Sequence, residues 1–207
     1  MDQYFLDQID DIRARPQAHL LGRLIATKTE EGHLSNDELL SFCRLLLIAG
    51  NETTTGLITA SARIFHELPD TLPPLNQDDD LIPAFIEEAL RYYSPFSATV
   101  RRTTKEIELA GIMIPKGDLV LPLIASANRD EHVFDQPDSF QIDRDPNPHL
   151  ALGFGIHFCL GAHLARLEGK IAVKQLAKRF SSIRLADEGK TDVGGLGGPK
   201  EMMVILD

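Results

Sequence analysis

The chain has only two cysteines and no long apolar run. These shortages argue against a disulfide-stabilised protein and a membrane-spanning protein. Its two cysteines, Cys43 and Cys159, cannot build a disulfide framework and favour a reducing compartment. The longest apolar stretch, residues 45–50, is too short to span a bilayer. Residues 1–17 carry acidic side chains where a signal peptide has an apolar core. We therefore expect a cytoplasmic protein without a membrane segment.

Positive charge is also scarce. The 207 residues contain 21 Lys and Arg against 31 Asp and Glu, and no basic run could follow a phosphate backbone, so a nucleic-acid partner is not expected. The glycine-rich dinucleotide motif, the P-loop and the G-x-S-x-G serine elbow are missing. We therefore do not expect this chain to bind NAD or FAD.

Cys159 is the most informative residue that is present. It lies in LGFGIHFCLGAHLARLE, between a glycine-rich loop and a patterned helix. A thiol at a helix N-terminus meets unpaired N–H groups and the positive end of the helix dipole, which favour the thiolate. Gly155 and Gly161 keep the backbone thin, so a flat, bulky group can approach the sulfur. The pattern predicts a thiolate that holds a metal centre.

Two other interpretations of this segment are weaker. A buried structural cysteine is the ordinary alternative for any single Cys. A zinc site could use His157, Cys159 and His163, but structural zinc needs four convergent ligands and usually paired cysteines.

The segment GFGIHFCLG, residues 153–161, resembles the haem-binding loop of the cytochrome P450 family, of the soluble bacterial and archaeal type. Gly155 lies four residues before the cysteine, His157 two before it and Gly161 two after it. The resemblance implies a haem b cofactor with Cys159 as the proximal ligand of the iron. It also implies a hydrogen bond from His157 to a haem propionate.

The loop departs from the family pattern at one position. The family usually has phenylalanine seven residues before the cysteine, where this chain has Leu152. Phe154 is aromatic but lies out of that register, and we count it among the candidate cofactor contacts.

The segment Ala49-Gly50-Asn51-Glu52-Thr53 is unusual within a predicted helix, because glycine and a threonine run weaken a helix interior. A close helix crossing at Gly50 is one explanation. The segment also resembles the family's A-G-x-(D/E)-T pattern on the helix that lies over the haem. That resemblance implies that Thr53 and Glu52 relay protons to dioxygen, and that Ala49 and Gly50 leave room above the iron.

Glu88 and Arg91 form an E-x-x-R pair at i,i+3 spacing, which places both side chains on one helix face. Alone, such a motif is usually a surface ion pair. In the family, this pair joins an arginine from the loop before the haem motif, and Arg144 occupies the matching place. We expect the three residues to support the cysteine loop rather than to take part in catalysis.

Three further matches are weaker. Arg101 falls where the family places a propionate ligand, although an exposed strand arginine is the ordinary alternative. Phe96, Ala98 and Val100, and the glycine-rich turn 194–198, match segments that touch substrate in the family. Their composition predicts a pocket for a small apolar substrate.

The helix after Cys159 is basic in an otherwise acidic chain. Its cationic residues are Arg166, Lys170, Lys174, Lys178 and Arg179. A solvated helix face is one interpretation. The other is a docking surface for an acidic electron-transfer protein such as a ferredoxin.

These observations predict a mainly α fold with small antiparallel β-sheets that resembles the C-terminal half of a cytochrome P450. Ser35 and Glu38 match a capping box that starts the long helix. The expected segments are short N-terminal helices (1–34), the long distal helix (35–68), the E-x-x-R helix (82–93), a β-rich segment (100–124), a meander with the haem loop (125–158), the proximal helix (159–180) and a C-terminal β-hairpin (181–207).

The resemblance implies a haem-thiolate monooxygenase that inserts one atom of dioxygen into a small apolar substrate, using electrons from a separate redox protein. The alternative is a truncated haem-binding fragment, or one half of a split enzyme that needs a complementary N-terminal chain.

Overall fold

The computed structural model describes residues 1–29, 32–186 and 202–207, and most of its regular structure is helical. Two units were identified, Met1–Asn51 and Glu52–Asp207. Within the described residues the α-helices are α1 (Asp2–Ala14), α2 (Leu20–Ala26), α3 (Asn36–Glu67), α4 (Leu72–Gln77), α5 (Ile82–Tyr93), α6 (Ile124–Ala127) and α7 (Ala162–Arg179). No helix in these ranges is long and apolar enough to cross a membrane.

The strands are short and pair antiparallel in twos. They are β1 (Lys28–Thr29), β2 (Gly32–His33), β3 (Arg101–Arg102), β4 (Ile107–Leu109), β5 (Ile112–Ile114), β6 (Leu119–Val120), β7 (Ile183–Leu185) and β8 (Val204–Leu206). The pairs are β1 with β2, β3 with β6, β4 with β5, and β7 with β8. The predicted fold class, mainly α with small antiparallel sheets, is confirmed.

Some element boundaries differ from the sequence expectation. The segment 1–34, expected to form short helices, also contains β1 and β2, because strand pairing needs only backbone groups. The short helices α4 and α6 were not predicted. Helix α4 carries two prolines near its start, where a missing N–H costs nothing. Helix α7 begins at Ala162, three residues after Cys159.

The start of α3 follows directly from its sequence. Ser35 Oγ accepts a hydrogen bond from the Glu38 N–H (3.3 Å), and Glu38 Oε2 accepts one from the Ser35 N–H (2.8 Å). This reciprocal capping box satisfies two N–H groups that a helix start leaves unpaired. A Cβ at Gly50 would meet no atom within 4 Å among the described residues, apart from the backbone of its own helix.

The core of the second unit lies between α3, α5 and α7. Phe65 and Phe85 stack at 5.1 Å, and Phe140 meets Phe85 edge-on at 5.4 Å, which ties the segment before the cysteine loop to this core. Gly169 allows the close approach of α7, because a Cβ there would lie 2.8 Å from Leu57 Cδ2 and 3.0 Å from Ile86 Cδ1. Gly169 and the other buried residues of α7, Ala162, Val173 and Ala177, face the core.

Candidate haem-thiolate site

The cysteine loop has a backbone shape that only glycine adopts easily at two positions. Gly153 has φ +74°, and a Cβ there would lie 2.7 Å from the His157 carbonyl oxygen. Gly155 has φ +63° and opens the single turn Gly155–His157, which Phe158 closes by donating its N–H to the Gly155 oxygen at 3.0 Å. These glycines fold the loop back on itself just before the cysteine.

Cys159 has a free thiol that is partly exposed. Its N–H donates to the Leu152 carbonyl (2.8 Å), and its carbonyl accepts from the Ala162 N–H (3.2 Å), so the residue is held from both sides of the loop. A Cβ at Gly161 would lie 4.0 Å from the sulfur. The thiol thus lies ahead of α7, outside the helix, and Gly161 is the N-cap residue.

Large apolar side chains of this loop are open to solvent. Phe154 is 82% exposed and Ile156 is 98% exposed, and Phe158 and Leu160 are also exposed. Four such residues around one thiol favour contact with a large apolar ligand. Leu152, in contrast, is buried beneath the loop.

The polar groups predicted for the cofactor are also exposed. His157 lies on the loop, and Arg101 lies on β3. One Arg101 nitrogen donates to Thr99 Oγ1 (2.8 Å) and to the Val100 carbonyl (2.9 Å), and the guanidinium keeps further N–H donors. By residue type, a thiol, apolar side chains, an imidazole and a cation are the groups that bind a haem with two propionates.

The predicted substrate segment precedes β3. Phe96 and Val100 are exposed and Ala98 is half-buried. The backbone of this segment is fixed by a hydrogen bond that the Thr99 N–H donates to the Pro122 carbonyl oxygen (3.0 Å). The glycine-rich turn 194–198, also predicted to touch substrate, lies outside the described residues.

The predicted distal residues all lie on α3. Ala49 and Gly50 belong to the first unit, and Glu52 and Thr53 belong to the second. Glu52 is exposed and Thr53 is half-buried.

Glu88, Arg91 and Arg144 lie in one cluster. Glu88 and Arg91 are fully buried. Arg91 donates to both Glu88 carboxylate oxygens (2.7 and 2.8 Å), and Arg144 Nε donates to the same oxygens (3.1 and 3.2 Å). This is not the surface ion pair that the isolated motif would indicate.

The remaining donors of both arginines bind backbone carbonyls of the meander. Arg91 donates to the carbonyls of Asn128, Pro137 and Ser139. Arg144 donates to those of Asp135, Gln136 and Ser139. The cluster therefore fixes the course of the chain that leads to the cysteine loop.

Asn128 is a buried support that the sequence did not reveal. Its Oδ1 accepts from the Leu150 N–H (2.7 Å), and its Nδ2 donates to Ser94 Oγ (2.8 Å). An asparagine at the end of a four-residue helix carries no motif, so only the tertiary structure identifies it.

The basic face of α7 is largely engaged in ion pairs. Arg166 binds Glu87 at 2.7 Å. Lys174 and Lys178 bind Asp79 at 2.5 and 3.3 Å. Among the described residues, Lys170 and Arg179 form no ion pair. Three of the five predicted docking cations therefore already have an acidic partner in the chain.

Comparison with known proteins gives a consistent result. The family model described as "Cytochrome P450" matches residues 77–196. Cytochrome P450 109 of Bacillus spizizenii is 46% identical over 186 residues, which are 90% of this chain and 46% of that protein. The biotin biosynthesis cytochrome P450 of Bacillus subtilis is 42% identical over 89% of this chain and 46% of its own length.

Solved structures share the fold. CYP109E1 from Bacillus megaterium in complex with testosterone has a TM-score of 0.90 at 37% identity, covering 99% of this chain and 57% of that one. P450BioI, in complex with an acyl carrier protein ligated to hexadec-9Z-enoic acid, has a TM-score of 0.91 at 39% identity, covering 99% and 53%. The chain thus spans about half the length of the relatives that it matches.

Proposed function

Because the chain belongs to the cytochrome P450 family, we propose that it binds haem b through Cys159 and supplies one half of a monooxygenase. That enzyme inserts one atom of dioxygen into a small apolar substrate with electrons from a separate redox protein. The observation that carries the proposal is the free thiol of Cys159, in a loop shaped by Gly153 and Gly155 and surrounded by exposed apolar side chains. The two unpaired cysteines support a cytoplasmic location.

Different residues of the chain bind different parts of the cofactor. When bound, haem iron supplies the redox chemistry that activates dioxygen. Cys159 Sγ is the metal ligand, and His157 and Arg101 bind the propionates by hydrogen bonds and charge. Phe154 provides apolar contact, while Gly155 and Gly161 let the flat ring approach the backbone.

Thr53 and Glu52 transfer protons from solvent toward the reacting oxygen. The Thr53 hydroxyl holds a proton at Oγ1 and passes it toward the reacting oxygen, and the Glu52 carboxylate replaces it from solvent. The exposure of Glu52 supports that second role. Ala49 and Gly50 leave room on the same helix.

The substrate is a small apolar molecule. Phe96, Ala98 and Val100 offer apolar surface for it, with Phe96 and Val100 exposed. The steroid in one structural relative and the fatty acyl chain in another support this class of substrate.

A complementary polypeptide is required for turnover. Leu164, Leu167 and Ile171 lie on one face of α7, opposite its small core-facing residues, and each is more than half exposed. The chain also spans only about half of its relatives' length. We expect a polypeptide equivalent to the other half to cover this face. Without it, the chain acts as a haem-binding fragment with no turnover, which is the second candidate function.

Electron delivery uses the basic helix α7. Lys170 and Arg179 are the cations of that helix without an ion pair in the described chain, so they are the residues available to an acidic ferredoxin-like protein.

The test is the absorption spectrum of the purified chain after addition of haem, reduction and carbon monoxide. A strongly red-shifted Soret band is expected, Cys159→Ser should abolish it, and Cys43→Ser should retain it. Absence of haem uptake by the chain, both alone and mixed with the N-terminal half of the Bacillus spizizenii relative, would refute the proposal. Product formation only in the mixture would identify a half-enzyme, and haem binding without product in either case would identify a fragment.

A further inference from the structure

Glu87, His149 and Arg166 form a polar cluster, hereafter the Glu87 cluster, that no motif predicted. Arg166 donates Nε to Glu87 Oε1 and a second nitrogen to Oε2, both at 2.7 Å. His149 Nε2 lies 3.2 Å from the same Oε2, and the His149 side chain is only 5% exposed. One carboxylate therefore joins three separate parts of the chain.

The position of Cys159 between two of these partners gives the cluster its significance. His149 lies ten residues before the cysteine, and Arg166 lies seven residues after it on α7. Both ends of the segment 149–166 are thus bound to one group on α5. Movement of either end of this segment away from α5 would break a contact with Glu87.

The neighbouring Glu88 does not bind both ends of the segment 149–166. Its partners Arg91, Gln141, Arg144 and Asn147 all lie before His149, so they hold only the chain that enters the loop. Among the described contacts of the two glutamates, only those of Glu87 include a residue that follows Cys159 in the chain.

We propose that Glu87 is a positioning residue for Cys159: by binding His149 and Arg166 together, it holds the segment 149–166 and thereby fixes the thiol ahead of α7. The assignment of that thiol as the haem ligand rests on the proposed function. The positioning itself is a property of the chain without haem, so the two can fail separately.

The experiment measures alkylation of the full-length, haem-free chain by iodoacetamide, with the peptides carrying Cys159 and Cys43 quantified separately by mass spectrometry. Glu87→Gln should label Cys159 about threefold faster or more, because the local restraint is weakened, while the rate at buried Cys43 stays the same. Asp79→Asn is the matched control. This change removes the ion pairs of Lys174 and Lys178, which lie on α7 like Arg166 but farther along the chain from Cys159. It should leave the alkylation rates of Cys159 and Cys43 unchanged.

A second pair of variants keeps the test decisive if Glu87→Gln does not fold. His149→Leu removes the hydrogen bond to Glu87 and should also accelerate labelling of Cys159. His149→Gln retains a donor near the position of Nε2 and should restore the original rate. Unchanged Cys159 labelling in the leucine variant, or an equal rise at Cys43 and Cys159 in either variant, would overturn the proposal in favour of a purely global structural role.

Discussion

Glu87 and Glu88 are adjacent on α5, yet their carboxylates bind different parts of the protein. Glu88 is fully buried and accepts from Arg91 and Arg144, whereas Glu87 is partly exposed and accepts from His149 and Arg166. Neighbouring residues of a helix point about 100° apart, so the two carboxylates on this turn of α5 point toward different parts of the protein. One glutamate fixes the meander, and the other joins it to α7.

Loss of the Glu88 charge should strongly destabilise the fold. Glu88→Gln leaves the buried Arg91 and Arg144 without their shared anion, which we expect to cost about 3–5 kcal/mol in the free energy of unfolding. Urea denaturation followed by circular dichroism measures it. Glu108→Gln, on exposed strand β4, is the control and should change stability by less than about 0.5 kcal/mol. Equal stabilities of the two variants would contradict the burial of this pair.

Two glycines should respond in opposite ways to alanine. Gly169→Ala places a Cβ 2.8 Å from Leu57 and should cost about 1–3 kcal/mol by overpacking. Gly50→Ala meets open space within α3 and should stabilise the haem-free chain by up to about 1 kcal/mol through helix propensity. Thermal unfolding of the two variants measures both changes. A stabilised Gly169→Ala variant would show that α7 does not pack closely at this point.

The Glu87 ion pairs should make stability depend on pH in the acid range. Burial opposes ionisation of Glu87, but hydrogen bonds from Arg166 and His149 outweigh it and lower its pKa from 4.5 to about 2. A depressed folded-state pKa stabilises the fold above pH 4.5, and this contribution is lost as the pH falls from 4.5 toward 2. With a discount for partial exposure, it is on the order of 2 kcal/mol.

Glu87→Gln isolates that contribution from those of other carboxylates. The difference in unfolding free energy between the parent chain and the variant should be largest near neutral pH and shrink steadily below pH 4.5. Denaturant titrations at several pH values measure it. A difference that does not vary with pH would exclude the lowered pKa.

Thr53→Ala should separate haem binding from oxygen chemistry. In the enzyme assembled with its complementary half, the variant should keep the red-shifted spectrum but divert reducing equivalents into hydrogen peroxide, because Oγ1 no longer supplies a proton. Product and peroxide are measured per reductant consumed. Thr55→Ala, two residues along α3, is the control and should remain coupled. Full coupling in the Thr53 variant would contradict its proposed role.

Much of the fold followed from local pattern. The capping box of Ser35 and Glu38 starts α3 where its spacing indicated, and α5 spans the predicted 82–93. These features depend on contacts three or four residues apart, which a sequence displays directly. The short helices α4 and α6 lacked such periodicity and were missed.

The sequence by itself determined the family of this chain and the residues that carry its motifs, because the glycine and cysteine spacing of residues 153–161 and the E-x-x-R pair are written contiguously. Only the tertiary structure decided that Glu87 binds partners 62 and 79 residues away. It also decided that α7 buries Ala162, Gly169, Val173 and Ala177 and exposes Leu164, Leu167 and Ile171, and that three of its five cations are already paired. Such relationships depend on which elements meet in the fold, and local spacing carries no information about them.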